Sequence, residues 1–246
     1  MINIYDTKYK KQFIFKETYN SIIPLTIYQT WHTKLLPPKM FENILKLKQN
    51  HPRFKYYLYD DNDCREFIKN NFDTEILQAF DKLIPGAYKA DLWRYCILYK
   101  NGGIYLDIKF KCMNNFRLIA LTEEEQFVND IGNVGIYNAL IAVMPKNDIL
   151  LKCINKIVEN VKNNYYGEGC LYPTGPMLMK QFFDDSLRNN IKLNLETLKT
   201  SKDTYHSIIY NNIYVLINYY EYRDEQIKYQ KKEHYGILWD ARKIYN

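Results

Sequence analysis

The sequence predicts a mixed α/β sheet with helices on both faces, and three observations carry that prediction. Residues 87–100 are helix formers without proline or glycine, Gly102-Gly103 supplies a stop, and residues 104–110 switch to β-branched and aromatic side chains. Ahead of that unit, strand-like runs at 22–31 and 54–59 are each followed by a helical pattern. Beyond it, residues 205–222 are strongly β-prone, with 213–217 as their centre. A chain of 246 residues with 47% hydrophobic content can bury a substantial core.

Taken in order, residues 1–21 read as a polar and aromatic lead-in, and residues 22–246 as the domain. The first strand enters at Pro24 and leaves through the polar Gln29 and Thr30 to Trp31. Pro37-Pro38 opens a helix that carries Met40, Ile44 and Leu45. After the second strand comes an acidic run at 60–63, where Asp63 and Glu66 make a capping box for a helix bearing Phe67 and Ile68. Capping explains that run without a metal. Residues 73–83 form another helix, which Pro85-Gly86 breaks.

On the wheel of the central helix, Ala87, Ala90, Asp91, Arg94 and Leu98 fall on one face. The rest of its circumference is mostly aromatic or aliphatic, so the helix is expected to be buried on nearly every side. Asp91 and Arg94 are then charges in an apolar setting and need a partner or a ligand. Two readings stand: an i,i+3 ion pair that locks the helix, or a ligand-facing pair joined by Asp107, which ends the next strand. Open α/β sheets place their sites at carboxyl ends of strands.

Downstream, residues 112–121 read as a connection and residues 122–125 as an acidic helix start or a solvated turn. The apolar run 139–144 is a strand ending at Pro145, with Asn138 entering it. Asp148 is expected to cap a helix over 149–161. Thr174-Gly175-Pro176 is a compact turn before a helix at 177–183. Residues 184–204 suggest a short helix and loop, and His234-Tyr235-Gly236 opens the tail.

The net charge of +6 is modest and spread out, so it implies no nucleic-acid partner. Lys8, Lys10, Lys11 and Lys16 near the start, and Lys228, Lys231 and Lys232 near the end, read as ordinary solvated faces. The odd number of cysteines, at 64, 96, 112, 153 and 170, and their wide spacing favour free thiols in a reducing, cytoplasm-like compartment. No signal peptide, membrane-spanning segment or glycosylation sequon is read in the chain. Nothing in the sequence sets an oligomeric state.

The runs Ala90-Asp91-Leu92-Trp93-Arg94-Tyr95 and Gly102-Gly103-Ile104-Tyr105-Leu106-Asp107, with Ile27-Tyr28-Gln29-Thr30-Trp31, resemble glycosyltransferases with the sugar-binding DXD region. That group contains yeast-type initiating mannosyltransferases, capsule enzymes and, more distantly, clostridial glucosylating toxins. The resemblance covers roughly residues 22–176 and implies a GT-A-like fold and a single nucleotide-sugar-binding domain. It also implies hexosyl transfer from a UDP- or GDP-sugar to a hydroxyl of a glycan, protein or lipid, with retention. In its terms, Asp91 and Arg94 hold the donor sugar or its phosphate link, Asp107 meets the ribose, sugar or metal, and Thr174 and Gly175 shape the sugar pocket. Gln29 and Thr30 lead to Trp31, the plate for the base, and His234 joins Asp107 at a divalent ion, manganese or magnesium. From the residues alone, Trp31 is equally read as core packing, and Asn138 either meets a sugar hydroxyl or is an edge-strand or turn asparagine. No certain nucleophile is identified, and Asp130 is a guess.

One departure stands out. The family pattern has a second aspartate two residues after the first, whereas this chain has Asp107-Ile108-Lys109. A lysine is no carboxylate ligand, but its ammonium binds phosphate as a point charge. Strand alternation would set Asp107 and Lys109 on one face. The expected consequence is weakened metal dependence; a catalytically inactive nucleotide-sugar or glycan-binding protein is the alternative.

Overall fold

The computed structural model describes residues 11–199, 204–230 and 232–246; Lys8, Lys10 and Lys231 lie outside the described residues. The elements run β1 (Thr26–Thr30), α1 (Pro38–Asn50), β2 (Lys55–Tyr59), α2 (Asp61–Asn71), α3 (Thr74–Lys82), α4 (Gly86–Asn101), β3 (Gly103–Leu106) and β4 (Phe110–Cys112). They continue with β5 (Gln126–Asn129), β6 (Ile136–Val143), α5 (Asp148–Lys162), α6 (Pro176–Lys180), α7 (Asp185–Asn189) and β7 (Leu193–Lys199). The chain closes with β8 (Thr204–Tyr210), β9 (Ile213–Asn218), α8 (Tyr222–Tyr229) and α9 (Tyr235–Asp240).

Local chemistry accounts for most boundaries, with two caps displaced from expectation. Asp60, not Asp63, is the N-cap of α2: its side chain accepts from Asp63 N while the Asp63 side chain accepts from Asp60 N. Asn147, not Asp148, caps α5, its side-chain oxygen accepting from Leu150 N at 3.0 Å. In both cases an earlier residue, three positions before Asp63 and one before Asp148, holds the extended or otherwise non-helical backbone that a cap requires. Gly102 ends α4 at φ +63°, where an added Cβ would lie 2.6 Å from Pro145 Cδ, so both conformation and space demand glycine.

The expected strand over 104–110 is broken. β3 stops at Leu106, residues 107–109 turn, and β4 begins at Phe110. Two further strands form where none was expected: β5 directly follows the acidic stretch 122–125, and β7 lies within the expected helix and loop at 184–204, because sheet pairing overrides the weak local signals of 126–129 and 193–199. The β-prone stretch near the end is a hairpin, β8 and β9, joined by Asn211-Asn212 at φ 48° and 62°.

Nine strands form one mixed sheet in the order β2-β1-β3-β6-β5-β7-β8-β9-β4. β1 is parallel to β2 and β3, β5 is parallel to β7, and the other pairings are antiparallel. This order forces curvature. The three-residue turn from Leu106 to Phe110 spans at most about 15 Å, yet six strand spacings separate β3 from β4 in the sheet, about 29 Å if it were flat. The far half therefore curls back until β4 lies beside the end of β3, and the 107–109 turn closes the seam.

Strand alternation sends side chains to two cores. Tyr28, Tyr105, Ile141 and Val143 pack with α4 and α5, whereas Ile27, Ile104, Leu106, Leu140 and Ala142 join residues of β7, β8 and β9 in the second cluster. α4 is covered by α2, α3, α5 and α9, so nine of its residues are buried. α1 and α8 pack together away from α4: the Glu225 carboxylate accepts from Lys39 N and Met40 N at 2.7 and 2.9 Å, closing the start of α1. Among the described residues no helix is long and apolar enough to cross a membrane, and the five cysteines are free thiols.

Candidate active site

The charged face of α4 is buried and fully engaged. Asp91 and Arg94 are 7% and 6% exposed. Asp91 accepts from Thr174 Oγ1 at 2.7 Å and from Asn138 Nδ2 at 2.8 Å, and Arg94 Nη2 lies 3.4 Å from Asp91 Oδ1. Arg94 also donates from Nη1 to Asn138 O at 2.7 Å and from Nε to Ala90 O at 3.2 Å, and its guanidinium sits over the Tyr105 ring at 4.3 Å. Burial pushes the Asp91 carboxyl up against the opposing pull of Arg94, Thr174 and Asn138. Every partner of the carboxylate is a donor, as an ionised group requires. The ion-pair reading describes this pair, and Asp91 and Arg94 also line a cleft.

Asp107 reaches the same place from the end of β3. Its Oδ1 accepts from Tyr105 OH at 2.7 Å, its Oδ2 accepts from Lys109 Nζ at 2.7 Å, and Arg94 Nη1 lies 3.8 Å away. Despite its burial, Lys109, Arg94 and these hydrogen bonds hold the Asp107 carboxyl below the usual carboxylate range. Asp107 and Lys109 share one cleft because of the turn, which Phe110 N closes on Asp107 O at 3.1 Å, and not through strand alternation.

Two clefts meet at this cluster, with Ala87, Arg94 and Asp107 lining both. The larger, of about 270 Å³, opens between α4, the end of β5, the start of β6 and β8, and is lined by Asp91, Asn138, Gly175, Asp130, Tyr137 and His206 among others. The smaller, of about 140 Å³, runs past Thr30, Trp31 and His32 toward Tyr222 and Lys232. The curl of the sheet explains the convergence: carboxyl ends of β1, β3 and β5 lie beside the starts of β6 and β8.

The other expected site residues divide into those that line the clefts and those that support them. Thr174 is fully buried and holds Asp91, while an added Cβ at Gly175 would sit 3.6 Å from Asp91 Oδ2. Gln29 is fully buried, donating to Leu106 O at 3.0 Å and accepting from Tyr56 OH at 2.9 Å, so it ties β1 to β3 and meets no cleft. Thr30 lines the smaller cleft and donates to Tyr59 O. Trp31 is 6% exposed and packs with Met40, Ile44 and Ile108, yet with His32 it also lines the smaller cleft; the Trp31 Nε1 and His32 Nδ1 are buried without a hydrogen-bond partner.

The expected metal pair is not assembled. His234 is exposed, its Nδ1 accepts from Gly236 N at 3.1 Å as the cap of α9, and it lines neither cleft. Among the described residues no three His, Cys, Asp or Glu side chains gather as a metal site. Both Asp107 oxygens already accept from protein donors, one of them an ammonium. These residues do not fit a protein-held divalent ion.

Tyr137, His206 and Tyr235 line the larger cleft and carry no sequence signal beyond β-propensity or a position in the tail. Neither ring nitrogen of His206 has a hydrogen-bond partner among the described residues, and burial, with Lys109 and Arg223 nearby, pushes its imidazole down to about 4 from 6.5. Between those values the unfolded chain takes up a proton that the folded chain refuses, so this group makes stability fall as pH drops through that window. His206→Gln is therefore expected to flatten the acid side of the stability profile. Urea unfolding midpoints at pH 7 and pH 5 check this, and equal losses in both proteins would contradict it.

Residues 37–129 match the glycosyltransferase sugar-binding region containing the DXD motif. Over this stretch the chain is similar to that family. Inositol phosphoceramide mannosyltransferase 3 of Schizosaccharomyces pombe is 30% identical over 161 residues, covering 65% of this chain and 44% of the relative. A mannosyl phosphorylinositol ceramide synthase of Saccharomyces cerevisiae is 30% identical over 152 residues, covering 62% and 39%. An uncharacterized glycosyltransferase of Acanthamoeba polyphaga mimivirus is 40% identical over 99 residues, 38% of each chain. The chain thus spans less than half the length of these curated relatives. In fold, the chain resembles the PaToxG glycosyltransferase, with a TM-score of 0.50 at 16% identity over 68% of this chain and 72% of that one. The matched region contains the whole Asp91, Arg94, Asp107 and Lys109 cluster.

Proposed function

We propose that the chain transfers a hexosyl unit from a nucleoside diphosphate sugar to an acceptor hydroxyl, with retention. The observation that carries this reading is the buried Asp91, Arg94 and Asp107 cluster at the junction of two clefts. A donor needs a cation at its diphosphate, acceptors for its sugar hydroxyls and space on either side for the base and the acceptor. Arg94 supplies the first, Asp91 and Asp107 the second, and the clefts the third. The unpartnered Trp31 Nε1 and His32 Nδ1 favour the smaller cleft for the nucleoside, because buried polar groups without partners are uncommon unless a ligand completes them.

In the reaction, the bond from the anomeric carbon to the diphosphate oxygen breaks with its electron pair going to the diphosphate. The acceptor oxygen bonds to the same carbon on the face that the diphosphate leaves, and the hydroxyl proton passes to the departing diphosphate. Arg94 stabilises the charge that develops there, and Asp91 orients the sugar.

A mannosyl unit is the first to test, since the relatives are named as mannosyltransferases, and an inositol-bearing lipid is the first acceptor on the same ground. The second reading, a binding protein without turnover, draws on Lys109 standing where the family has a carboxylate. A panel of UDP- and GDP-sugars, assayed by calorimetry for binding and by product formation for transfer, separates the two. The expected result is binding better than that of the free sugar, with transfer to at least one acceptor. Binding without transfer across the panel would select the second reading, and no binding by folded protein would remove both.

A further inference from the structure

We propose that Lys109 is a built-in counter-cation for the donor diphosphate, occupying by charge the place a divalent ion takes beside the usual second aspartate. The inference rests on the nucleoside diphosphate donor read above. Lys109 is held in position from several sides: Nζ donates to Asp107 Oδ2 at 2.7 Å and lies 5.3 and 5.4 Å from the ring centres of Phe110 and Tyr137. Its side chain is 15% exposed, and the surface it keeps faces the larger cleft beside Arg94 and Asp107. An ammonium has three donors; one is spent on Asp107 and the Tyr137 hydroxyl stands beside a second, which leaves at least one for a phosphate oxygen.

The charges in the cluster decide what else the site will accept. Arg94 and Lys109 balance Asp91 and Asp107, so the four side chains together are neutral. A dication placed at Asp107 would meet the ammonium at its own ligand oxygen, in a setting that screens poorly. A diphosphate would instead find two fixed cations, Arg94 and Lys109, both already held by packing and hydrogen bonds. The turn at 107–109 makes this arrangement, since it is what aims both side chains into one cleft.

The test measures binding of GDP-mannose and UDP-glucose by calorimetry, in excess chelator and in manganese, together with manganese binding alone by electron paramagnetic resonance. Lys109→Asp and Lys109→Gln are compared with the unmodified chain, and melting curves establish that each variant folds. For the unmodified chain, donor affinity is expected to agree within about twofold between the two conditions, a difference too small for loss of a buried charge contact, which is worth about 30-fold or more. Manganese alone should not bind. Lys109→Gln should lose about 30-fold in donor affinity in either condition. Lys109→Asp should lose binding in chelator and regain it with manganese; if that variant does not fold, the glutamine variant decides. A loss of about tenfold or more in chelator for the unmodified chain, or undiminished binding by Lys109→Gln, overturns the inference while leaving the donor reading intact. Absence of donor binding by folded protein in both conditions removes the donor reading, and this inference with it.

Discussion

Asp91→Asn is expected to lower hexosyl transfer by about 100-fold or more and to cost about 3 kcal/mol of stability. The carboxylate now accepts from Thr174 and Asn138 and balances Arg94. An amide presents a donor at one of its two ends, so either the Thr174 hydroxyl or the Asn138 amide loses its acceptor. Arg94 is left buried with Asp107 at 3.8 Å as its remaining carboxylate. Denaturant unfolding gives the stability change and steady-state transfer gives the rate. A stable, active Asp91→Asn protein would show that neither charge balance nor donor geometry depends on this residue.

Arg94→Lys is expected to weaken donor binding by about 30-fold and stability by about 2 kcal/mol, although the charge is kept. The guanidinium reaches Asn138 O, Ala90 O, Asp91 and Asp107 while lying flat on Tyr105. A lysine ammonium is a point charge on a flexible stem and cannot serve these directions together. The informative comparison is between two numbers from the same preparation. If stability falls and the folded fraction binds donor normally, Arg94 only locks α4; if both fall, it also meets the diphosphate.

Much of this site is legible because its elements are local. The apolar circumference of α4 follows from residues within a few turns of one another, and it forecasts that Asp91 and Arg94 are buried charges in need of partners. The glycine stop, the strand leading to Asp107 and the compact turn at Thr174-Gly175 are legible on the same grounds. Their contacts with one another are not. Thr174 lies 83 residues beyond Asp91 and supports it from beneath, a pairing no periodicity encodes. Asn138 lines the larger cleft, and no local pattern shows that its amide donates to Asp91 and Tyr95. His234 has a suitable residue type, but helix capping takes its nitrogen, and its place on the surface separates it from Asp107.

Residue order alone is enough for the α/β class, the central helix with its paired charges, the glycine-terminated entry into β3 and the lysine two residues after Asp107. Each of these depends on backbone propensity, side-chain period or simple residue identity, all of which act over a few positions. Long-range packing, by contrast, is what ends β3 at Leu106, bonds Asp107 to Lys109 across a turn and brings Tyr137 and His206 to the same cleft as Arg94. The reason is the closure of the sheet. With six strand spacings to cover and a three-residue turn to do it, the sheet has to curl, and the curl brings β8 to the charged face of α4.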